Sequence, residues 1–366
     1  MQKRTSAILW PAFVVFAAGA AVAVAPYDVK PAYGTQQVAS DPDDPAIWIN
    51  PKDASQSLIL GTNKTPAPSG ALVVFGLDGR TRQVIDGIDR PNNVDIEYGL
   101  SLGGRRTDIA VLTERLKRRL RVFRINPAEG NVTDIAPNGL PVFDGQTGES
   151  GAPMGIALYK RPRDGSIFAV VGRKEGPARG YIWQYRLEDN GSGGVKATKV
   201  RELGTFSGKG EIEAIAVDDD LGHVYYADEG DGIHKWHADP DHPQAATELA
   251  HFGRDGFRGD REGIAIYTLG KGTGYILCTD QVDGNSEYRV YRREGKPGNP
   301  NDHSEVLAVF RGGADSTDGL EATSAAIGSR LPSGLVIAMN SMGRNFLVYD
   351  WADIVRGSSS TLKKRQ

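Results

Sequence analysis

One cysteine in 366 residues rules out a disulfide framework, because a bridge needs a pair. Cys278 falls inside the apolar run Tyr275-Ile276-Leu277-Cys278 and reads as a small buried hydrophobe, not a nucleophile. Charge of one sign is scarce too. Forty-three lysines and arginines face forty-six acids, so the net charge of −3 asks for no nucleic-acid or membrane partner. Long apolar runs are missing except at the N-terminus, where Ala7 to Val24 follows Lys3 and Arg4 and ends among Ala21, Ala23 and Ala25. That pattern predicts a secretory leader over 1–25, with an uncleaved anchor as the alternative. The rest is expected to be secreted or periplasmic, with no membrane partner once the leader is gone. Amphipathic helices of useful length are absent as well.

What the chain has is a repeat and forty-six glycines to turn it. Six short strands open on an acidic or small polar step: Asp44-Pro45-Ala46-Ile47-Trp48, Asn93-Val94-Asp95-Ile96, Met154-Gly155-Ile156-Ala157-Leu158, Glu213-Ala214-Ile215-Ala216-Val217, Glu262-Gly263-Ile264-Ala265-Ile266 and Glu321-Ala322-Thr323-Ser324. Their spacing of roughly 50 to 60 residues suits propeller blades rather than helical solenoids. A nearly continuous apolar strand follows each, as in Leu58-Ile59-Leu60-Gly61 or Leu335-Val336-Ile337-Ala338, which predicts cover on both faces. A third strand then alternates, as in Leu120-Arg121-Val122-Phe123-Arg124, and should have one wetter side. Turn signals such as Leu77-Asp78-Gly79 close the hairpins. Most blades have a weaker fourth strand, such as Arg82-Gln83-Val84-Ile85, but the sixth has none of its own. The segment Thr35-Gln36-Gln37-Val38-Ala39 is placed to supply it and latch the ring. The expected fold is all-β: a single six-bladed β-propeller of four-stranded blades over 26–355, followed by a polar basic tail over 356–366.

First strands of propeller blades lie nearest the axis, so their leading residues surround one mouth of the channel. That converges Asp43, Asp44, Asp95, Glu213, Asp260, Glu262, Asp318 and Glu321 from distant parts of the chain. Crowded carboxylates raise one another's pKa unless cations neutralise them. An oxygen-rich set of this kind prefers a hard cation, and in an exported protein that means calcium. No single segment is a finished calcium loop. Asp315-Ser316-Thr317-Asp318-Gly319 starts like an EF-hand, but position 326 is alanine where a bidentate glutamate is needed. Any calcium must therefore be shared between blades.

Basic residues end successive second strands: Lys64 after Thr62-Asn63, Arg115 after Thr113-Glu114, Arg173-Lys174 after Val171-Gly172. Carboxylates beside lysine and arginine form a receptor for a multiply phosphorylated anion. Other phosphatase chemistries lack their residues. Cys278 has Gly284, not arginine, six positions on; no histidine sits in an Arg-His-Gly motif; and no glycine-rich loop ends in Gly-Lys-Ser/Thr. His234 and His237 are the one pair with zinc-like spacing, and they read as strand packing rather than ligands.

Several segments together resemble the β-propeller phytases: Asp43-Asp44-Pro45-Ala46-Ile47-Trp48, Asn92-Asn93-Val94-Asp95-Ile96, Gly172-Arg173-Lys174-Glu175-Gly176 and Asp260-Arg261-Glu262-Gly263-Ile264-Ala265-Ile266-Tyr267. Asp318-Gly319-Leu320-Glu321 and Asn345-Phe346 extend the likeness to the last blade. The resemblance implies a calcium-dependent phosphomonoesterase that hydrolyses phytate, myo-inositol hexakisphosphate, or its calcium salt, and works as a monomer with several calcium ions. It implies that Asp43, Asp44 and the backbone near Val94 hold structural calcium, and that Glu213, Glu229, Asp260 and Glu262 hold catalytic calcium with Asp318 and Asn345 nearby. Tyr159, Lys64, Arg115 and Lys174 would contact phosphates. The implied reaction is in-line attack by a metal-bridged water without a covalent intermediate. The chain departs from the family pattern where Thr65 follows Lys64, in the loop Thr113 to Arg119, which leaves Arg115, Arg118 and Arg119 as rival contacts, and at Glu321. A calcium-dependent lactonase or esterase and a non-catalytic ligand-binding propeller are the other readings; the row of cations counts against the first and the density of acids against the second.

Overall fold

The computed structural model describes residues 24–365, so the leader expected over 1–25 lies outside the described residues except for Val24 and Ala25. Six antiparallel sheets follow one another along the chain. The innermost strands are Pro42–Trp48, Pro91–Leu102, Pro153–Lys160, Ile215–Asp218, Ile264–Gly270 and Leu320–Thr323. Each touches the next, and the sixth touches the first. The result is the six-bladed, four-stranded propeller that the repeat predicts.

The core sits between blades. Six apolar clusters each join two neighbours, and the strand Leu58–Asn63 shows why its sequence is an unbroken apolar run. Leu58 and Leu60 pack towards blade two, while Ile59 packs towards blade six. With a neighbour on either side, alternation across a strand is apolar against apolar. The wetter side expected of the third strands holds at Arg124 but fails at Ala71–Gly76 and Tyr181–Tyr185, which are buried throughout. Those blades present both faces of the third strand to neighbours, and exposure begins at the fourth strand, as in Thr81–Ile85.

Closure comes from the N-terminal segment, slightly earlier than expected. Tyr33–Gly34 pairs antiparallel with Asn345–Asp350. Beyond that bridge the Thr35 and Val38 amides donate to the Phe346 and Arg344 carbonyls at 2.9 and 2.8 Å. Tyr27–Asp28 adds a fifth strand to blade five, parallel to Val306–Arg311. Among the described residues one short α-helix is present, Trp351–Gly357, where none was expected; Asp350 caps it by accepting from the Ala352 amide at 2.8 Å. Trp351 stacks on Tyr267 at 3.8 Å and donates to the Lys363 carbonyl, and Leu362 is buried in the core between blades five and six. Cys278 is fully buried. No described helix is long and apolar enough to cross a membrane.

Candidate functional site

The second strand of each blade ends on a polar side chain, buried in every blade but the sixth, and in five blades that side chain ties down the loop that delivers the acidic step. Asn63 accepts from the Ser40 and Asp41 amides at 3.0 and 2.9 Å, just ahead of Asp43. Glu114 accepts from Asp89 at 2.9 Å. Asp228 accepts from the Ser207 amide at 2.5 Å, Asp280 from the Arg258 and Gly259 amides at 2.9 and 2.8 Å, and Asn340 from Asp315 at 3.1 Å. Blade three inverts the device. Arg173 donates to the Gly180 and Tyr181 carbonyls of its own hairpin. These anchors close every second strand in the sequence, and that recurrence was the available signal.

Anchored in this way, the acids form two levels. The outer level is the rim. Glu229, Asp260 and Glu262 each place a carboxylate oxygen within 4.8 Å of the other two. Glu213 accepts from Asn92 Nδ2 at 3.1 Å, and its charge raises the pKa of both Glu229 and Glu262. Burial is the larger cause: it pushes Glu229 up to about 7 and Glu262 well above the carboxylate range. Asp318 accepts from Gln281 Nε2 at 2.5 Å and from Lys64 Nζ at 3.0 Å, and the same ammonium pairs with Asp43. Asp43 is fully buried, which lifts its pKa to about 7 although Lys64 opposes the rise.

The inner level lines the axis. Asp44, Asp95, Glu321 and the backbone at Val94 border a cavity of about 130 Å³ that reaches Glu262. Asp43 meets Lys64 at the rim while its neighbour Asp44 accepts from the Val94 amide, so the two adjacent acids serve different levels. The Val94 amide donates to Asp44 Oδ2 at 2.9 Å and the Leu158 amide to Asp95 Oδ2 at 2.6 Å. Burial dominates at this level, with Asp95 at about 7 and Glu321 at about 8. Glycine is required where blades crowd here: a Cβ on Gly155 would lie 1.7 Å from the Glu213 carbonyl, and one on Gly319 2.3 Å from Asp44 Oδ1. Met154-Gly155, the step without an acid, is thus the surface against which Glu213 is seated.

Cations gather on one side of the rim. Lys174 pairs with Glu211, and Arg115 with Glu149 at 3.1 Å. Burial and then the neighbouring Arg115 charge lower the Lys174 pKa, so the two cations stand close enough to repel. Of the rival arginines, Arg119 is committed inside blade two, to Glu114 at 2.5 Å and the Asn138 carbonyl at 2.9 Å. Lys64 is held between two acids, Asp43 and Asp318.

Two expected residues are not free at the rim: Tyr159 lies away from it, and Asn345 is engaged in the ring closure. Tyr159 pairs with Phe168 at the far end of a strand whose other end, Pro153, pairs with Arg173. Six residues of strand are about 20 Å. Its ring is buried in the core between blades three and four, so the placement at phosphate is corrected: the strand leaves the rim before reaching it. Asn345 accepts from Asn340 Nδ2 at 2.8 Å and donates to the Thr35 carbonyl at 3.2 Å, which commits its amide to ring closure rather than to the acids. Residues missed at sequence level are Asn92, Gln281, Glu211 and Arg261, whose guanidinium donates to the Glu229 carbonyl at 2.6 Å.

The phytase family profile matches residues 2–355. The chain belongs to the phytase family. It is accordingly a phosphoric monoester hydrolase. The 3-phytase of Bacillus subtilis (strain 168) is 29% identical over 328 residues, which cover 86% of this chain and 80% of that protein. A Bacteroides thetaiotaomicron protein of unknown function aligns in structure over 88% of this chain and 73% of its own, with 9% identity and a TM-score of 0.49.

Proposed function

We propose that this chain is a calcium-dependent phytase that removes phosphate from myo-inositol hexakisphosphate or its calcium salt. The observation that carries the reading is the rim itself, where a carboxylate triad lies beside Lys174 and Arg115. Its donors are all oxygen, the class that hard cations take. Among the described residues Glu262 Oε2 is buried without a hydrogen-bond donor, as suits an acceptor whose partner is a cation. Glu213, Glu229, Asp260 and Glu262 would hold the catalytic ions, and Asp43, Asp44, Asp318 and the backbone at Val94 the structural ones. When bound, calcium supplies positive charge that neutralises the phosphates and polarises the P–O bond.

The chain's own side chains do the rest. Arg115 offers a planar fork for two phosphate oxygens, and Lys174 a point charge for a third or for the neighbouring phosphate. An incoming phosphate must displace Glu149 and Glu211 from them, so both ion pairs act as gates. Asn92 and Gln281 fix the carboxylates they touch. Water is the nucleophile in this reading, with no covalent enzyme intermediate; the one thiol is buried and no histidine sits in an Arg-His-Gly motif. We place the enzyme outside the cytoplasm, released by loss of the leader over 1–25 as a single propeller domain over 26–355 with its tail over 356–366, and working as a monomer. A lactonase would have little use for the Arg115 and Lys174 pair.

The test is phosphate release from phytate with calcium present and after chelation. Release with calcium, loss on chelation and loss in Glu213→Gln are expected. Equal release after chelation would remove calcium from the reading, and no release at any calcium level would remove the substrate.

A further inference from the structure

Blade four carries a second cluster that the rim chemistry does not use. Asp231 lies in the turn between His223–Asp228 and Gly232–His237, His234 on the second of those strands, and His251 opposite it on Glu248–Phe252. One donor atom from each of the three lies within 4.8 Å of the others. The two imidazoles stack at 4.1 Å, and Tyr226 covers the other face of His234 at 4.8 Å.

The donor atoms are in an unusual state. His234 is 3% exposed, and its Nδ1 faces Glu248 Oε2 at 3.1 Å. Its Nε2 is buried with no hydrogen-bond partner among the described residues, and Nε2 of His251 is buried with no hydrogen bond either. A buried nitrogen without a partner is costly unless something satisfies it. A carboxylate on one ring nitrogen fixes the tautomer and leaves the other nitrogen's lone pair free, the usual support of a metal-ligating histidine. Asp231 gives one oxygen to Arg254 at 3.1 Å, and its Oδ2 stands 3.4 Å from His251 Nε2.

We propose that Asp231, His234 and His251 form a binding site for a transition-metal dication of the zinc class, separate from the oxygen-lined rim. Two imidazoles and one carboxylate make a donor set that calcium does not favour and zinc does. Bonds of about 2.1 Å in a tetrahedral site set donors about 3.4 Å apart. The His251–Asp231 separation already has that value; His234 has to close in by about 1.4 Å or less, and one of the two stacked rings has to turn so that both lone pairs meet at one ion. Asp231 and His251 are 31% and 23% exposed, which gives an ion a way in and water the fourth position. The site lies two residues from Glu229, in a turn already tied to blade five because Arg261 donates to both the Glu229 and Arg254 carbonyls. Metal there would brace that turn.

The full chain, stripped of transition metals and returned to excess calcium, is titrated with Co²⁺ and followed by visible absorption and by histidine ring signals in NMR. One equivalent is expected to bind, with ligand-field bands and shifts confined to two histidines. His251→Gln and Asp231→Asn, both at the open side and both checked for a native unfolding transition, should each weaken binding at least tenfold. Absence of binding in the unaltered chain overturns the proposal. So does one equivalent that binds undiminished to both variants, because the ion then sits elsewhere.

Discussion

Lys64 and Asp318 stand 254 residues apart in sequence and 3.0 Å apart in space, joining blade one to blade six at the mouth of the channel. With Asp43 on its other side, the ammonium is the internal counter-charge of two acids. Burial alone would lower its pKa; Asp43, Glu213 and Asp318 reverse that and raise it strongly. Breaking a buried pair from one side costs about 3–5 kcal/mol, because the partner is left unpaired. Lys64→Met is therefore expected to unfold at a clearly lower temperature after chelation and to recover most of the loss with calcium, which replaces the missing charge. Thermal unfolding with and without calcium measures this. If Lys64 instead serves phosphate, the variant will show a raised KM for phytate and an unaltered gap between the two melting temperatures.

The pH dependence follows from the axial acids. Asp95 and Glu321 titrate at about 7 and about 8 in the folded chain, above the ordinary carboxylate values near 4 of an unfolded one. Between those limits the folded state binds more protons, so stability falls as pH rises, by up to about 1.4 kcal/mol per pH unit for each group. The loss begins near pH 4 and is complete as pH passes the folded values. Chelated protein should thus melt at a lower temperature at pH 8 than at pH 5. Calcium competes with those protons, so its stabilising effect should grow over the same interval. A calcium effect equal at both pH values would show that the axial acids are not linked to the ion.

How much of this was legible depends on whether a residue's role is local or collective. Blade count and the strand identities are local, written in runs such as Leu58-Ile59-Leu60, and the structure keeps them. Glu213, Asp260, Glu262 and Asp318 were found because they sit at the start of a blade's first strand, whereas Glu229, which follows the second strand of blade four, came from the resemblance alone. Tyr159 was misplaced because resemblance gives a position in sequence but not its distance along a strand from the rim. The helix at Trp351–Gly357 was missed because seven residues are too few for a period, although Asp350 at its cap was a usable sign. The ion pair of Lys64 with Asp318 and the bond from Gln281 to Asp318 have no sequence signature at all, since they exist only once the ring closes.

The loop anchors lead to a final prediction, because they separate shape from charge. Asp280 is fully buried and accepts from the Arg258 and Gly259 amides and from Arg289 at 3.0 Å. The loop it holds continues directly into Asp260 and Glu262. Asp280→Ala leaves two backbone donors without an acceptor and takes the carboxylate from Arg289, which keeps only the Gly256 carbonyl, a loss of about 3–5 kcal/mol. Asp280→Asn keeps one acceptor oxygen for the amides and loses only the charge opposite Arg289, so its loss should be smaller. Calcium affinity should follow the same order, with Ala weaker than Asn and Asn weaker than the parent, since the carboxylates of Asp260 and Glu262 are positioned through this loop. Calcium titration followed by melting temperature tests both statements. Equal calcium affinity in a destabilised Asp280→Ala variant would show that the anchor holds the blade together without setting the site.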